Sequence, residues 1–298
     1  MRDPTSEEEL AAYAAELEAS RPPEFGLGRT LTNAVAMWFR IMPVALVLTA
    51  LFYAPLYFYF RADDAAEMRT LMSGKWETWP SQVYAMFAVA FMLALLSYVV
   101  FGILSTQSVA PLRALRRGLA RMLPVLSVMI AMAVVLAVLL VAGVSAAGTL
   151  APSMPAGLAW LLALLALTPA IIVMSMWCVA VPASVVESPG FAGAFARSFR
   201  LTAGHRLGIG GMMVLLWFAE AGLQRLVQRI VVGNLTGQDF DAMSAAAQLT
   251  SVNQMLAIGI AFSGLSASFF AVAASVLYYA LIQSKEHLGP AALASVFR

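Results

Sequence analysis

The chain is poor in the residues from which disulfides, metal centres and many catalytic sites are built. It contains one cysteine, Cys178, and two histidines, His205 and His287, among 298 residues. A single cysteine excludes a disulfide within the chain and a zinc site made of several cysteines. Each histidine stands at the predicted membrane surface, a position more typical of an interfacial side chain than of a catalyst. We therefore predict a protein that is not an enzyme and that holds no cofactor and no metal.

Charge is also scarce, and this excludes most soluble folds. Charged residues make up 11% of the chain and hydrophobic residues 61%, with a formal net charge of +2. Such a chain exposes too much apolar surface for water, and we expect no nucleic-acid partner. A membrane-spanning helix needs about 20 mainly apolar residues. Six segments approach or exceed that length: 43–60, 81–104, 123–149, 156–181, 207–227 and 255–282. The sequence predicts an all-α, polytopic membrane protein with six transmembrane helices.

The distribution of positive charge predicts the orientation of these helices. Six spans put both ends of the domain on one side, and most arginines and lysines outside the spans fall on that side. Positive side chains accumulate in the cytoplasm, so we expect both termini there and the protein in a bacterial inner membrane. The predicted transmembrane domain covers 25–288, between an acidic cytoplasmic tail at 1–24 and a short cytoplasmic tail at 289–298.

The acidic tail carries a predicted short helix that could bind a partner. Ser6 and Glu9 have the spacing of a capping box, and an apolar stripe follows at helical spacing. A solvated tail is the alternative interpretation. The stripe that would form the contact face consists of Leu10, Tyr13 and Leu17.

Three basic, amphipathic segments precede pairs of spans. They cover 28–42, 111–122 and 188–203, roughly 80 residues apart. We predict that each forms an interfacial elbow helix. The domain is then either a threefold repeat of one surface helix and one helical hairpin, or three units that converged on a common membrane solution.

The second elbow has the clearest amphipathic pattern. Apolar residues recur at helical spacing at Leu112, Leu115, Leu119 and Met122. Arginines occupy other faces, and near-surface cations of this kind attract anionic lipid by about 1 kcal/mol each. They either bind headgroups of anionic phospholipids or only fix the topology of the chain. The arginines concerned are Arg113, Arg116, Arg117 and Arg121.

The third elbow adds two more candidate headgroup ligands, Arg197 and Arg200. Glu187 precedes this elbow at the membrane edge, where an unpaired carboxylate is costly. We predict that Glu187 forms a structural ion pair with Arg197, Arg200 or Arg206, which would attach the elbow to the bundle.

A family resemblance is carried by this same elbow. The residues that carry it are Pro182, Val185, Val186, Glu187, Gly190, Ala194, Arg197, Ser198, Leu201, Thr202, Gly204 and Arg206, together with the stretch 276–282 (VLYYALI). This pattern resembles the membrane domain of the glycerophosphoryl diester phosphodiesterase membrane-domain proteins and related six-span bacterial proteins, over residues 25 to about 287. In that family the hydrolase is a separate soluble domain. The resemblance therefore implies a membrane domain without hydrolase activity.

Two functions remain open. The first is a non-enzymatic membrane protein that organises lipid or a partner complex through its basic elbows. The alternative is a permease for a small solute or a lipid, because Glu220 lies in the fifth span and an acidic group there is costly unless it faces the bundle or water. Its candidate transport site in a polar cleft consists of Glu220, Gln224 and Arg225.

Overall fold

The computed structural model describes residues 25–64, 67, 79–105, 110–150, 156–187, 189–233 and 243–286. These ranges contain helices and no strand. The predicted partner stripe at Leu10, Tyr13 and Leu17 and the tail at 289–298 lie outside them. The helices are α1 (Leu27–Phe60), α2 (Trp79–Leu104), α3 (Pro111–Leu150), α4 (Ala156–Trp177), α5 (Ala180–Val186), α6 (Gly190–Thr202), α7 (Arg206–Val232) and α8 (Ala245–Glu286).

Six helical segments of the described chain are long and apolar enough to cross a membrane. They correspond to α1, α2, α3, the region Leu165–Val186, α7 and α8. Apolar side chains of a membrane-spanning helix do not have to be buried inside the protein. Large ones are exposed on α3 and α7, among them Val141, which is 65% exposed, and Ile230, which is 74% exposed. Exposed apolar side chains of this kind are compatible with the hydrocarbon interior of a bilayer. The predicted all-α, six-span class is confirmed.

Two of the three predicted elbows are not separate helices. Segments 28–42 and 111–122 form the first turns of α1 and α3, which run unbroken through Pro43 and Pro124. At 1.5 Å per residue the 40-residue α3 is about 60 Å long, twice the ~30 Å hydrocarbon layer. Neighbouring helices and local adjustment satisfy the backbone groups that a proline frees, so neither proline ends its helix. The prediction of three elbow helices is wrong for the first two segments.

Successive spans run in opposite directions, which gives the bundle two distinct sides. The short helices α5 and α6 lie on one side, called here the elbow side, with the start of α1, α3 and α7 and the end of α2 and α8. Lys285 near the end of α8 reaches Arg200 on α6 there. On the opposite side, Asn253 of α8 exchanges two hydrogen bonds with the backbone of Ala62, just after α1.

The helices α1 and α8 pack closely against each other. A Cβ atom added to Gly264 of α8 would lie 2.4 Å from Cγ2 of Thr49 on α1, so only glycine permits this approach. Trp38 Nε1 also donates to Ser268 Oγ at 2.9 Å between the same two helices. Small residues and interhelical hydrogen bonds of this kind hold membrane helices together without a hydrophobic driving force.

Candidate functional site

The helix α6 begins and ends at backbone conformations that favour glycine. Gly190 has φ +76° directly after Pro189, and Gly204 has φ +85° after the helix. A side chain would clash with the backbone in this left-handed region, whereas glycine adopts it at no steric cost. These turns separate α6 from α5 and α7. The third predicted elbow is therefore a helix of its own.

A buried hydroxyl group, that of Ser198, attaches α6 to the bundle. Ser198 Oγ donates to the carbonyl oxygen of Met176 at 2.8 Å, whereas Thr202 Oγ1 donates within α6 to the carbonyl of Ser198 at 3.0 Å. Met176 lies in the last turn of α4, where carbonyl groups have no partner within their own helix. The Ser198 side chain supplies that partner, so the orientation of α6 is tied to the end of α4.

Arg197 is the centre of an ionic network that joins α5, α6 and α8. Its guanidinium donates through Nε to Glu187 Oε1 at 2.8 Å and through Nη2 to Glu286 Oε2 at 2.8 Å. A further bond from Nη1 makes the contact with Glu286 bidentate. The Tyr278 hydroxyl donates to Glu187 from α8. One arginine thus pairs with two carboxylates that are far apart in the sequence, and the cluster keeps one net negative charge.

The network is partly shielded from solvent, which strengthens its bonds. The side chain of Arg197 is 15% exposed, and those of Glu187 and Glu286 are 25% and 30% exposed. The hydrogen bonds that Arg197 donates to Glu286 raise the pKa of Arg197 above its usual value, and the bond that it donates to Glu187 adds to this. Arg197 therefore keeps its positive charge.

The other end of α6 is capped by a cation from α8. Lys285 Nζ donates to the carbonyl oxygens of Arg200 at 3.1 Å and Ala203 at 2.6 Å. Carbonyls at a helix C-terminus carry the negative end of the helix dipole and attract positive side chains. Together with Arg197, this contact fixes α6 at both its middle and its end.

The structure selects one of the three arginines named as partners of Glu187. Glu187 contacts Arg197, whereas Arg206 stacks over the ring of Phe199 at 4.0 Å and donates to its carbonyl oxygen at 3.1 Å. Arg200 is exposed on α6. The sequence reasoning missed Glu286 and Tyr278, which are distant from Arg197 along the chain.

The arginines at the start of α3 have no carboxylate partner among the described residues. Arg113 and Arg116 are exposed, and Arg117 and Arg121 are partly exposed. The guanidinium of Arg117 lies 6.0 Å from the centre of the Tyr98 ring, and its buried Nε donates no hydrogen bond. These four charges are available to an anion from outside the chain.

Two cavities flank the first turns of α3. A groove of about 350 Å³ has a wholly apolar lining from α1, α2 and α3. A smaller cavity of about 80 Å³ lies near the start of α6 and is lined in part by Arg121 and Ser184. The groove is lined by Phe52, Tyr84, Phe87, Ala88, Phe91, Leu115, Leu119 and Met122.

The residues of the candidate transport site do not form a common polar cluster. Glu220 accepts a hydrogen bond from Ser266 of α8 and forms no ion pair with Arg225, which is exposed. Gln224 is half-buried one turn further along α7. Neither of the two cavities beside α3 includes Glu220. Its described contact is an interhelical hydrogen bond, and the transport site stays a prediction.

The fold and this arrangement define a helical protein with six segments able to cross a membrane. No protein-family model, curated protein or solved structure matches the chain. The resemblance to the glycerophosphoryl diester phosphodiesterase membrane-domain group stays a prediction.

Proposed function

We propose that the protein is a non-enzymatic component of a bacterial inner membrane that binds anionic phospholipid with the basic surface on its elbow side. The four arginines at the start of α3 form the main contact, and Arg200 extends the surface onto α6. Both termini face the cytoplasm in this proposal. A partner protein bound by the tail at 1–24 would be organised beside the same lipids.

The charge balance of the elbow side carries this proposal. Among the described residues, its carboxylates are Glu187 and Glu286, which share Arg197 as a partner and leave their cluster with one net negative charge. The other cations on this side, among them Arg200 and the four arginines of α3, outnumber that single charge. The opposite side differs, because it carries Asp63, Asp64 and Glu67, and Arg61 there pairs with Asp63. Within the described residues, an anionic surface therefore complements the elbow side better than the opposite side.

The expected strength follows from the number of cations. Each arginine near an anionic surface contributes about 1 kcal/mol, so four contribute about 4 kcal/mol, or roughly a thousandfold in affinity. Because the charges are exposed, the attraction falls as salt rises and the Debye length shortens. Binding that does not weaken with salt would count against headgroup electrostatics.

The experiment changes Arg113, Arg116, Arg117 and Arg121 together to glutamine. The purified variant is expected to lose the anionic phospholipid that copurifies with the unchanged protein, measured by mass spectrometry of extracted lipid.

A matched pair of double variants controls for charge removal itself. R113Q/R116Q removes two exposed arginines from the elbow side, and R225Q/R229Q removes two exposed arginines from the opposite side. Only the first is expected to weaken binding to vesicles containing phosphatidylglycerol, by about thirtyfold. If the quadruple variant and the unchanged protein retain equal amounts of lipid, these arginines do not bind headgroups and serve only to fix the topology of the chain.

A further inference from the structure

The apolar groove beside α3 has the dimensions and surroundings of a seat for one lipid chain. Its walls come from α1, α2 and α3, with four aromatic side chains, three aliphatic ones and one methionine. On α3 the lining residues Leu115, Leu119 and Met122 share one face, because they are spaced three and four positions apart. The groove therefore runs along the bundle rather than across it.

The lining residues fall within short stretches of helix. They run from Tyr84 to Phe91 on α2 and from Leu115 to Met122 on α3, about 10 Å of helix each at 1.5 Å per residue. Gly118 of α3 lies against Leu95 of α2, since a Cβ added to Gly118 would be 3.2 Å from Leu95 Cβ. The groove is therefore long enough to hold part of one extended acyl chain.

The end of the groove at Leu115 is basic. Arg116 follows Leu115 directly and precedes Leu119 by one turn, and Arg113 lies one turn before it. Both arginines are exposed, and neither has a hydrogen bond or an ion pair to a described residue. A molecule with an anionic group at one end and an apolar chain at the other is complementary to this combination.

We propose that the groove seats one acyl chain of an anionic phospholipid whose phosphate is bound by Arg116 at the entrance. This inference rests on the proposed lipid-binding function and locates one lipid within it. The chain supplies affinity, because it packs against the aromatic walls, and the arginines supply the preference for negative headgroups. The two contributions are separable by experiment.

The groove is tested by filling it. Leu119 lines the groove and is 61% exposed, whereas Leu123 lies one turn further along α3, is 62% exposed and does not line it. L119W is expected to weaken binding of phosphatidylglycerol to delipidated protein in detergent about tenfold, because a groove that is overfilled loses its fit. L123W adds the same bulk outside the groove and is expected to bind like the unchanged protein. L115W is the second groove-filling variant if L119W does not fold.

Two readouts from lipid titrations by native mass spectrometry separate this inference from the proposed function. L119W should lower the affinities for phosphatidylglycerol and phosphatidylcholine equally and keep the ratio between them. The quadruple arginine variant should bind phosphatidylglycerol and phosphatidylcholine with similar affinities. If L119W binds both lipids as tightly as L123W does, the proposed acyl-chain site in the groove is wrong. The proposed function is still supported in that case if the arginine variant no longer prefers phosphatidylglycerol over phosphatidylcholine. If the arginine variant also keeps its ratio, both ideas fail.

A soluble phosphate tests the source of the ligand. Glycerol 1-phosphate carries a similar anionic group without a chain, and it is expected not to displace phosphatidylglycerol from the protein. Displacement by glycerol 1-phosphate would show a site for a free phosphate ester and would overturn the assignment of the groove to an acyl chain.

Discussion

Replacing Arg197 with leucine tests whether the ionic network holds α6 against the bundle. The change removes the three hydrogen bonds from the guanidinium to Glu187 and Glu286. It also leaves two partly buried carboxylates near each other without their shared cation. Removing one member of a fully buried pair costs about 3–5 kcal/mol, and an exposed pair contributes about 0–1 kcal/mol. With side chains 15% to 30% exposed, we expect a loss of about 2–3 kcal/mol.

This loss should fall mainly on α6, because Arg197 joins this helix to α5 and α8. Hydrogen exchange of the amides in 190–202 should accelerate about 30- to 100-fold, since each 1.4 kcal/mol of opening free energy is a factor of ten. R200L is the control, because Arg200 lies on the same helix, carries the same charge and is exposed. Its exchange should change by less than about threefold, as expected for a surface substitution of about 0.5 kcal/mol or less.

A compensating variant separates charge from packing. Converting Glu187, Arg197 and Glu286 together to leucine removes the unpaired carboxylates, and replacing a buried ionic cluster by apolar residues is often neutral for stability. The triple variant should therefore exchange more slowly at 190–202 than R197L alone. If R197L and R200L exchange alike, the network does not hold α6, and its role in the site is refuted.

The remaining predictions concern the packing of α8. G264L should destabilise the protein in thermal unfolding by about 2 kcal/mol, because the new side chain meets Thr49, whereas G259L should not, since no atom lies within 4 Å of its Cβ position. Equal losses in the two variants would contradict the close approach of α1 and α8. E220Q should leave thermal stability within about 0.5 kcal/mol, because glutamine can still accept the hydrogen bond from Ser266. Under the transport alternative, E220Q abolishes proton flux into vesicles that contain the protein, and unchanged flux rejects that alternative.

The six spans were predictable because the bilayer fixes the length of an apolar segment. The ends of the helices were not. The predicted sixth span covers 255–282, whereas α8 extends over 42 residues from Ala245 to Glu286. Hydropathy reports where hydrocarbon begins, but a helix continues through the headgroup region until its backbone is terminated by a residue such as glycine. For the same reason the first two predicted elbows are continuous with the spans of α1 and α3. Gly190 and Gly204 provide such terminators on either side of α6.

The partners of charged residues were predictable only when they were close in sequence. Glu187 and Arg197 are ten residues apart and flank one turn, so the need to neutralise Glu187 pointed to this elbow. Glu286 reaches Arg197 from 89 residues away, and no local pattern indicates that contact. It becomes available only because the end of α8 returns to the elbow side, which is a consequence of packing across the whole bundle.

That distant contact changes what the surface can do. If Glu286 were unpaired, it would offset one of the arginines near it and reduce the attraction of the elbow side for anions. Because Arg197 pairs with both carboxylates, the cluster offsets only one of the surrounding positive charges instead of two. The network therefore contributes to the proposed function in two ways: it holds α6 in place, and it halves the negative charge that would compete with a phospholipid. R197L should accordingly weaken the preference for phosphatidylglycerol even though the α3 arginines remain, and R200L, which removes one cation without freeing a carboxylate, should weaken it less.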